Sequence, residues 1–510
     1  MSHPSPADLA AAAERELAGL LARSAPLSRK ERLALPPQEM PAQDPAVRIR
    51  NMDEVALGYA PAQARLEAMR CLQCPKAPCV QGCPVRIDIP AFLAAAAAGD
   101  FARASAIIKR SSLLPAVCGR VCPQENQCQL PCTVGKALQD VNRAVSIGRV
   151  ERFVADWERE GRQAAPPTVK PDTGRRVAVI GSGPAGITVA ADVRREGHAV
   201  TLFEAFHKPG GVMMYGIPEF RLPKRIVERE IETLRAMGVE IRPNFLVGRT
   251  RKLKDLLDRD GFDAVFIGSG AGLPKFMNIE GENLVGVFSA NEFLTRANLM
   301  RAYDRERADT PIIDSRRTAV LGGGNVAMDA ARTALRLGAA EVRLIYRRTE
   351  AEMPARVEEV RHAKEEGVIF HLLQNPVRIL GDDSGRVRAL ECLRYELGEP
   401  DDSGRRRPVP IAGSEFVLEA DTVIVAIGND SNPLIKQTTP EIATDRWGHI
   451  LVDERGQTSL PRVFAGGDIV LGSATVILAM GQGRIAAAAI NELLRQSPAG
   501  PPPCTPPPIA

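Results

Sequence analysis

RVAVIGSGPAGITVAADVRREGHAVTLFE, residues 176–204, decides the fold. It opens with RVAVI, a short apolar, β-branched run that reads as a buried strand. Gly181-Ser182-Gly183-Pro184-Ala185-Gly186 follows directly and starts a helix-like stretch, the context in which a GxGxxG carries meaning. The first glycine permits a tight turn, the second lets backbone approach a pyrophosphate, and the third allows helix to pack closely on strand. The helix N-terminus then faces the phosphates. A second apolar run, AVTLFE, ends in Glu204, 18 residues after Gly186, where a carboxylate accepts hydrogen bonds from ribose hydroxyls. An acid there would repel a 2'-phosphate, so this unit suits FAD or NAD rather than NADP.

The pattern returns about 140 residues later. TAVL (318–321) leads into Gly322-Gly323-Gly324-Asn325-Val326-Ala327, a helix-like NVAMDAARTALRLG and a strand-like EVRLIY (341–346). This strand runs out into Arg347 and Arg348, with Arg347 20 residues after Ala327 and no acid in place. Guanidinium groups bind phosphate oxygens in forked, charge-assisted geometry, so both arginines are expected on the 2'-phosphate of NADP. DTVIVAIG (421–428) and RVFAGGD (462–468) then read as buried strands ending in glycine turns, the latter followed by a helix from about Ala474 to Leu494. The Ala465-Gly466-Gly467-Asp468 turn would bring backbone amides to a flavin, with Asp468 near its ribityl and phosphate region. A glycine pair that only ends a strand would look the same.

Cysteines set the other half of the chain apart. Eight of the ten, Cys71 to Cys132, fall within 62 residues, while Cys392 and Cys504 stand alone. The first block, Cys71-x2-Cys74-x4-Cys79-x3-Cys83-Pro84, is close to the bacterial ferredoxin run, where a fourth cysteine before proline reaches to the other cluster. The second block, Cys118-x3-Cys122-Pro123 then Cys128 and Cys132, repeats the Cys-Pro step. Structural zinc favours paired C-x2-C knuckles, and only one C-x2-C occurs, so two 4Fe-4S clusters are the better reading. Crossed ligation gives Cys71, Cys74, Cys79 and Cys132 to one cluster, and Cys83, Cys122, Cys128 and a fourth group to the other. Cys118, four residues before Cys122, is the simple candidate for that fourth group.

Composition fits this reading. At 510 residues, 45% apolar and 25% charged, the chain is expected to be globular with about three domains. A net charge of +4 without basic blocks argues against nucleic acid. The N-terminal MSHPSPADLAAAAERELAGL has acids within its apolar stretch and no basic leader, and no apolar run approaches a membrane span. A cytoplasmic location is expected, where disulfides are rare. The expected divisions are an N-terminal arm at 1–46, a helical two-cluster module at 47–165, a first FAD-binding part at 175–310, an NADP-binding part at 311–425, a second FAD-binding part at 426–495, and a disordered tail at 496–510.

RCLQCPKAPCVQGCPVRIDIPAF, CGRVCPQENQCQLPC, IGRVERFVADWE, VAVIGSGPAG, PGGVMMYGIPEFRLPK, YRRTEAEMPAR and VFAGGDIVLGSATVILAMGQG occur here in one order. Together they resemble the small (beta) subunit of NADPH-dependent glutamate synthase and the related large subunit of NADH-dependent ferredoxin:NADP oxidoreductase, from about Val47 to Leu494. The resemblance implies an α/β protein: a helical iron-sulfur module, then two Rossmann-like domains of glutathione and thioredoxin reductase type, the NADP domain inserted into the FAD domain. It implies FAD, NADPH and two 4Fe-4S clusters as cofactors. It adds Gly211, Arg221, Thr475, Val476 and Gly428 to the cofactor-binding residues Gly181 to Gly186, Glu204, Gly467, Asp468, Gly323, Gly324, Asn325, Val326, Arg347 and Arg348. It also implies Glu151 as the noncysteine ligand of the second cluster, leaving Cys118 unligated. Read from its residues alone, Glu151 is an ordinary exposed helix position. The expected role is electron input, from NADPH through FAD and the clusters to a glutamate synthase large subunit. Neither that subunit's N-terminal cysteine nucleophile nor its FMN barrel is visible in this sequence. A bifurcating ferredoxin:NADP oxidoreductase and a dihydropyrimidine dehydrogenase electron-transfer subunit are the alternatives.

Overall fold

The computed structural model describes residues 5–161, 167–401 and 404–496. The proline-rich tail with Cys504 and part of the 164–174 connector fall outside the described residues.

Helix α1 (Pro6–Leu21) starts at a capping box in which Ser5 and Asp8 satisfy each other's backbone donors. It sets Ala13 and Leu17 against Ala62 and Leu66 of α2 (Pro61–Met69), so the expected arm is docked on the module behind it. Next come α3 (Ile89–Ala98), α4 (Phe101–Lys109), α5 (Pro115–Val121) and α6 (Ile147–Glu160). Helices α5 and α6 meet backbone to backbone at Gly119, and Gly148 of α6 makes room for the side chain of Gln124 just beyond α5. A Cβ on Gly119 would lie 2.6 Å from the Arg152 nitrogen, and one on Gly148 would lie 1.7 Å from Gln124 Nε2. That approach turns one face of α6 inward, Ile147, Val150 and Val154 together with Glu151 and Arg152.

The first βαβ unit runs β1 (Arg176–Ile180), α7 (Pro184–Arg195), β2 (Ala199–Phe203), α8 (Lys224–Ala236), β3 (Glu240–Arg242) and β4 (Ala264–Ile267). The second holds β5 (Val287–Ser289), β6 (Arg317–Leu321), α9 (Asn325–Arg336), β7 (Glu341–Tyr346), α10 (Val357–Glu365) and β8 (Ile369–Leu372). An antiparallel group follows: β9 (Gln374–Gly381), β10 (Val387–Pro400), β11 (Arg406–Pro410) and β12 (Phe416–Glu419). The chain returns through β13 (Thr422–Val425) and β14 (Val463–Ala465) to the long α11 (Val476–Gln496).

Both dinucleotide-type sheets are parallel throughout, with orders β14–β4–β1–β2–β3 and β5–β13–β6–β7–β8. Because β14 joins the first sheet after the whole second sheet has been made, the second unit is an insertion in the first. The two crossings pair with each other, Leu273–Pro274 antiparallel to Asn429–Asp430. The second sheet starts at Val287, earlier than the expected boundary at 311, because VFS is too short to show a period. Helix α11 packs on α7 and also reaches the cysteine module, where a Cβ on Gly481 would lie 3.0 Å from the Pro84 carbonyl oxygen. Among the described residues, no helix is long and apolar enough to cross a membrane.

Candidate functional site

A cleft of about 400 Å3 lies between the two nucleotide-type units. One wall is the turn after β1. Gly181 takes φ +92°, and a Cβ there would stand 2.4 Å from the Gly268 carbonyl oxygen, so only glycine fits. A Cβ on Gly186 would stand 1.9 Å from the Gly181 carbonyl oxygen, which is the close helix-strand contact expected of the third glycine. Gly183 faces open space, leaving the loop backbone accessible. Glu204 lines the same wall, buried, and accepts from the Ser182 nitrogen at 3.1 Å, the Phe206 nitrogen at 2.8 Å and the Ser182 hydroxyl. It therefore fixes the glycine loop to the end of β2 while remaining at the cleft surface.

Of the residues expected at the cofactors, Gly181 to Ala185, Glu204, Gly211, Arg221, Gly467, Asp468, Thr475 and Val476 line this cleft, and so do Asn325 and Val326 of the second unit. Burial pushes Asp468 up to about 6, while its Oδ1 accepts from the Ala474 nitrogen at 3.3 Å. Gly323, Gly324 and Gly428 stand outside the lining, although Asn429 beside Gly428 is part of it. Tyr215, Asn291 and Asn432 also line the cleft and were not singled out from sequence. Tyr215 packs edge-on to Phe206, with ring centroids 5.6 Å apart, and its place inside PGGVMMYGIPEFRLPK was the available signal.

Two arginines differ from expectation. Arg221 reaches the cleft wall, but its Nη1 donates to both Asp329 oxygens at 2.7 Å, tying the first unit to α9 of the second. Arg347 and Arg348 separate. Arg347 is exposed, whereas Arg348 is buried, donating from Nε to the Arg406 carbonyl at 2.7 Å and from Nη2 to Asp401 at 2.6 Å. Neighbouring residues of an extended chain point to opposite sides, so one of the pair is taken by the β10–β11 hairpin.

The cysteine module borders the same cleft. Val121 and Pro123, which flank Cys122, line the cleft. Two groups form. Burial, then Cys132 and Cys74 nearby, push the Cys71 thiol up to about 11, and burial with Cys71 and Cys132 beside it pushes Cys79 up to about 12. Burial pushes Cys83 up to about 11, with Glu151 and Cys122 among its neighbours, and Cys128 is raised by burial and by Cys83, Cys122 and Glu151. The first group holds Cys71, Cys74, Cys79 and Cys132, and the second holds Cys83, Cys122, Cys128 and Glu151 together with Cys118. Among the described residues, no three His, Cys, Asp or Glu side chains converge on one metal ion.

Glu151 is buried rather than exposed, at 6% of its free area, and its Oε1 has no hydrogen-bond partner among the described residues. Burial alone pushes it up to about 8. A buried carboxylate without a donor is costly unless a cation takes its place, so the donor set fits a cluster that uses this oxygen. Cys118 is equally buried, but its sulfur rests 3.6 Å from Met480 Sδ on α11, and it also bonds toward Cys122.

Comparison with known proteins agrees with both halves. Residues 48–163 match the family described as dihydropyrimidine dehydrogenase domain II, 4Fe-4S cluster, and residues 175–485 match pyridine nucleotide-disulphide oxidoreductase. The NADP(+)-dependent formate dehydrogenase subunit beta of Moorella thermoacetica is 41% identical over 83% of this chain, which spans 61% of that subunit's length. The glutamate synthase [NADPH] small chains of Halomonas elongata and Escherichia coli are each 38% identical, over 90% and 86% of this chain and 96% and 93% of their own. Among solved structures, Mycobacterium tuberculosis FprA in complex with NADPH matches 64% of this chain and 85% of its own with TM-score 0.53 and 21% identity, a likeness of fold. Spanning nearly the full length of those small chains, the chain belongs to the glutamate synthase small-chain family, in which a 4Fe-4S domain precedes a pyridine nucleotide-disulphide oxidoreductase domain, and it is an NADPH-dependent flavin and iron-sulfur oxidoreductase.

Proposed function

We propose that this chain is the electron-input subunit of a glutamate synthase, taking hydride from NADPH and delivering single electrons to a large subunit that forms glutamate from glutamine and 2-oxoglutarate. One observation supports the relay: Val121 and Pro123, on either side of Cys122, line the same cleft as the Gly181–Ala185 loop. In this reading that loop, Gly211, Gly467, Asp468, Thr475 and Val476 hold FAD, with Glu204 at its ribose. Gly322 to Ala327 hold NADPH, with Arg347 on the 2'-phosphate. FAD, when bound, supplies the conversion of a two-electron donor into one-electron steps. The chain's own residues orient the two nucleotides and shield the cleft, and no side-chain general base is required.

Cys83, Cys122, Cys128 and Glu151 would hold the cluster nearer the cleft, because Cys122 abuts the cleft lining and a Cβ-free Gly481 lets Pro84 sit on α11. Cys71, Cys74, Cys79 and Cys132 would hold the outer one, with Cys74 and Cys79 only half-buried. Gln127 Nε2 donates to Thr475 Oγ1 at 3.2 Å and so joins the module directly to the FAD side.

Anaerobic loading with FAD, iron and sulfide tests the proposal. NADPH should bleach the flavin, and addition of the large subunit with glutamine and 2-oxoglutarate should produce glutamate at the expense of NADPH. If the flavin is reduced and a dye accepts the electrons but no glutamate forms, the partner is a different one. The identity to a formate dehydrogenase beta subunit favours, as a second reading, an NADP-linked module serving another oxidoreductase.

A further inference from the structure

Where the cysteine module, the first nucleotide unit and the second one meet, a second cavity of about 30 Å3 adjoins the nucleotide cleft, the two sharing Arg221. It has room for roughly one or two waters or one small ion. Six guanidinium groups line it: Arg120, Arg149 and Arg152 from the module, Arg221 from the first unit, and Arg332 and Arg356 from the second. Only three carboxylates share the lining, Glu54, Glu358 and Glu359. Burial opposes their charge, yet Arg221 and Arg332 hold Glu359 down to about 2, and Arg149 and Arg356 hold Glu358 far below the usual carboxylate range. Burial and Arg332 press His362, also in the lining, down to about 4, so it adds no charge at neutral pH. Asp156, Asp329, Glu366 and Glu125 pair with these arginines but stand outside the lining.

Donors are left over on residues that line the cavity, Gln124 Nε2 among them, packed against Gly148. Among the described residues, Arg221 Nε, Arg356 Nε and Gln124 Nε2 are buried and have no hydrogen-bond partner, on side chains whose residues are 9%, 8% and 4% exposed. Each arginine Nε has a carboxylate oxygen within ion-pair range but makes no hydrogen bond to it, Glu359 at 3.3 Å from Arg221 and Glu125 at 3.8 Å from Arg356, the latter beyond hydrogen-bond distance. Guanidinium cannot shed its proton to escape this situation. Orphaned buried donors are rare, and here they come from three different parts of the chain around one small space.

We propose that this junction is a built site for one small inorganic anion of chloride size, bound by Arg221, Arg356 and Gln124, that pins the cysteine module to both nucleotide units. The site is independent of which partner accepts electrons. It gives the three orphaned donors one partner in a space too small for a nucleotide phosphate group and its sugar.

The test uses the FAD- and cluster-loaded chain. Crystals soaked in bromide should show an anomalous peak in contact with Arg356 and Gln124. At constant ionic strength, replacing gluconate by chloride should raise the melting temperature in a saturable manner, and Gln124→Leu or Arg356→Gln should raise the apparent chloride dissociation constant at least tenfold. If both variants fail to fold, the bromide map on the native chain decides alone. A cavity filled only by water, or chloride and gluconate titrations that coincide, overturns the proposal.

Discussion

Glu151 is where the structure adds most to the residues taken singly. Its carboxylate lies near Cys83, Cys118 and Cys128, and it has no protein donor among the described residues to hold its Oε1, whereas the Cys118 sulfur contacts Met480. Glu151→Ala should therefore remove or shift one cluster's paramagnetic resonance signal, while flavin bleaching by NADPH persists because hydride transfer lies upstream. Cys118→Ser should leave iron near about eight per chain, the number that two 4Fe-4S clusters contain. Loss of a cluster on Cys118→Ser, with none at Glu151, would reverse the assignment. Arg347 and Arg348 give a second test at this scale. Arg347→Ala should weaken NADPH against NADH by about 1.5–3 kcal/mol, the worth of hydrogen bonds to a charged group. Arg348→Ala should leave the NADPH/NADH preference nearly unchanged and instead loosen the β10–β11 hairpin, since its bonds go to Asp401 and the Arg406 carbonyl. Steady-state kinetics with both nucleotides separates the two. A doublet of arginines at a strand end reads in sequence as one phosphate clamp. Only the side taken by each residue, which depends on a hairpin arriving from 387–410, divides them.

The contact of α5 and α6 shows what glycine does for the elements. Ordinarily Gly→Ala inside a helix gains up to about 1 kcal/mol. At Gly119 the new methyl would meet Arg152 backbone at 2.6 Å, so Gly119→Ala should instead destabilise by about 1–3 kcal/mol, as overpacking does. It should also disturb the Glu151 cluster signal, because α6 carries Glu151 and would be pushed away. Chemical denaturation and resonance spectra of one preparation measure both effects, and a stabilised variant with an unchanged signal would dismiss the argument. The same elements show how much the sequence disclosed. RVAVI-GSGPAG and TAVL-GGGNVA were legible because strand, turn and helix start are local and each residue type has one reason to be there. The antiparallel strands at 374–419 were not, since their pairing is long-range and their charged, exposed residues hide the alternation. Glu151 had one local signal, an acid on the apolar face of an amphipathic helix, but what it faces comes from residues far away in the chain.

For the molecule as a whole, the connection between its parts is ionic and buried. Glu366, just beyond α10, accepts from Arg48 Nε at 2.8 Å, from Arg332 Nη2 at 2.7 Å and from Arg336 Nη1 at 2.7 Å. Arg332 continues to Glu359, and Arg221 joins from the first nucleotide unit through Asp329. No sequence pattern announces this network, because Arg48 and Glu366 are 318 residues apart. Removing one partner of a buried ion cluster leaves the others uncompensated, at a cost of about 3–5 kcal/mol. Glu366→Gln should incur that loss in urea unfolding at pH 7, and Arg48→Met should weaken contact between the N-terminal residues and α10 specifically, seen as faster proteolysis near residues 45–50. The pH dependence follows from direction. Burial alone would raise the Glu366 carboxyl, but Arg332 and Arg336 hold it far below its ordinary value of 4.5. A carboxylate with a depressed folded value contributes its full stability above the unfolded value and loses it as pH falls toward the folded one. The difference between the native chain and Glu366→Gln should therefore stay level from pH 8 to about 5 and shrink progressively below about 4.5. A difference that instead grew as the pH fell would mean that Glu366 is protonated in the folded chain and that the arginines around it are neutralised by other groups.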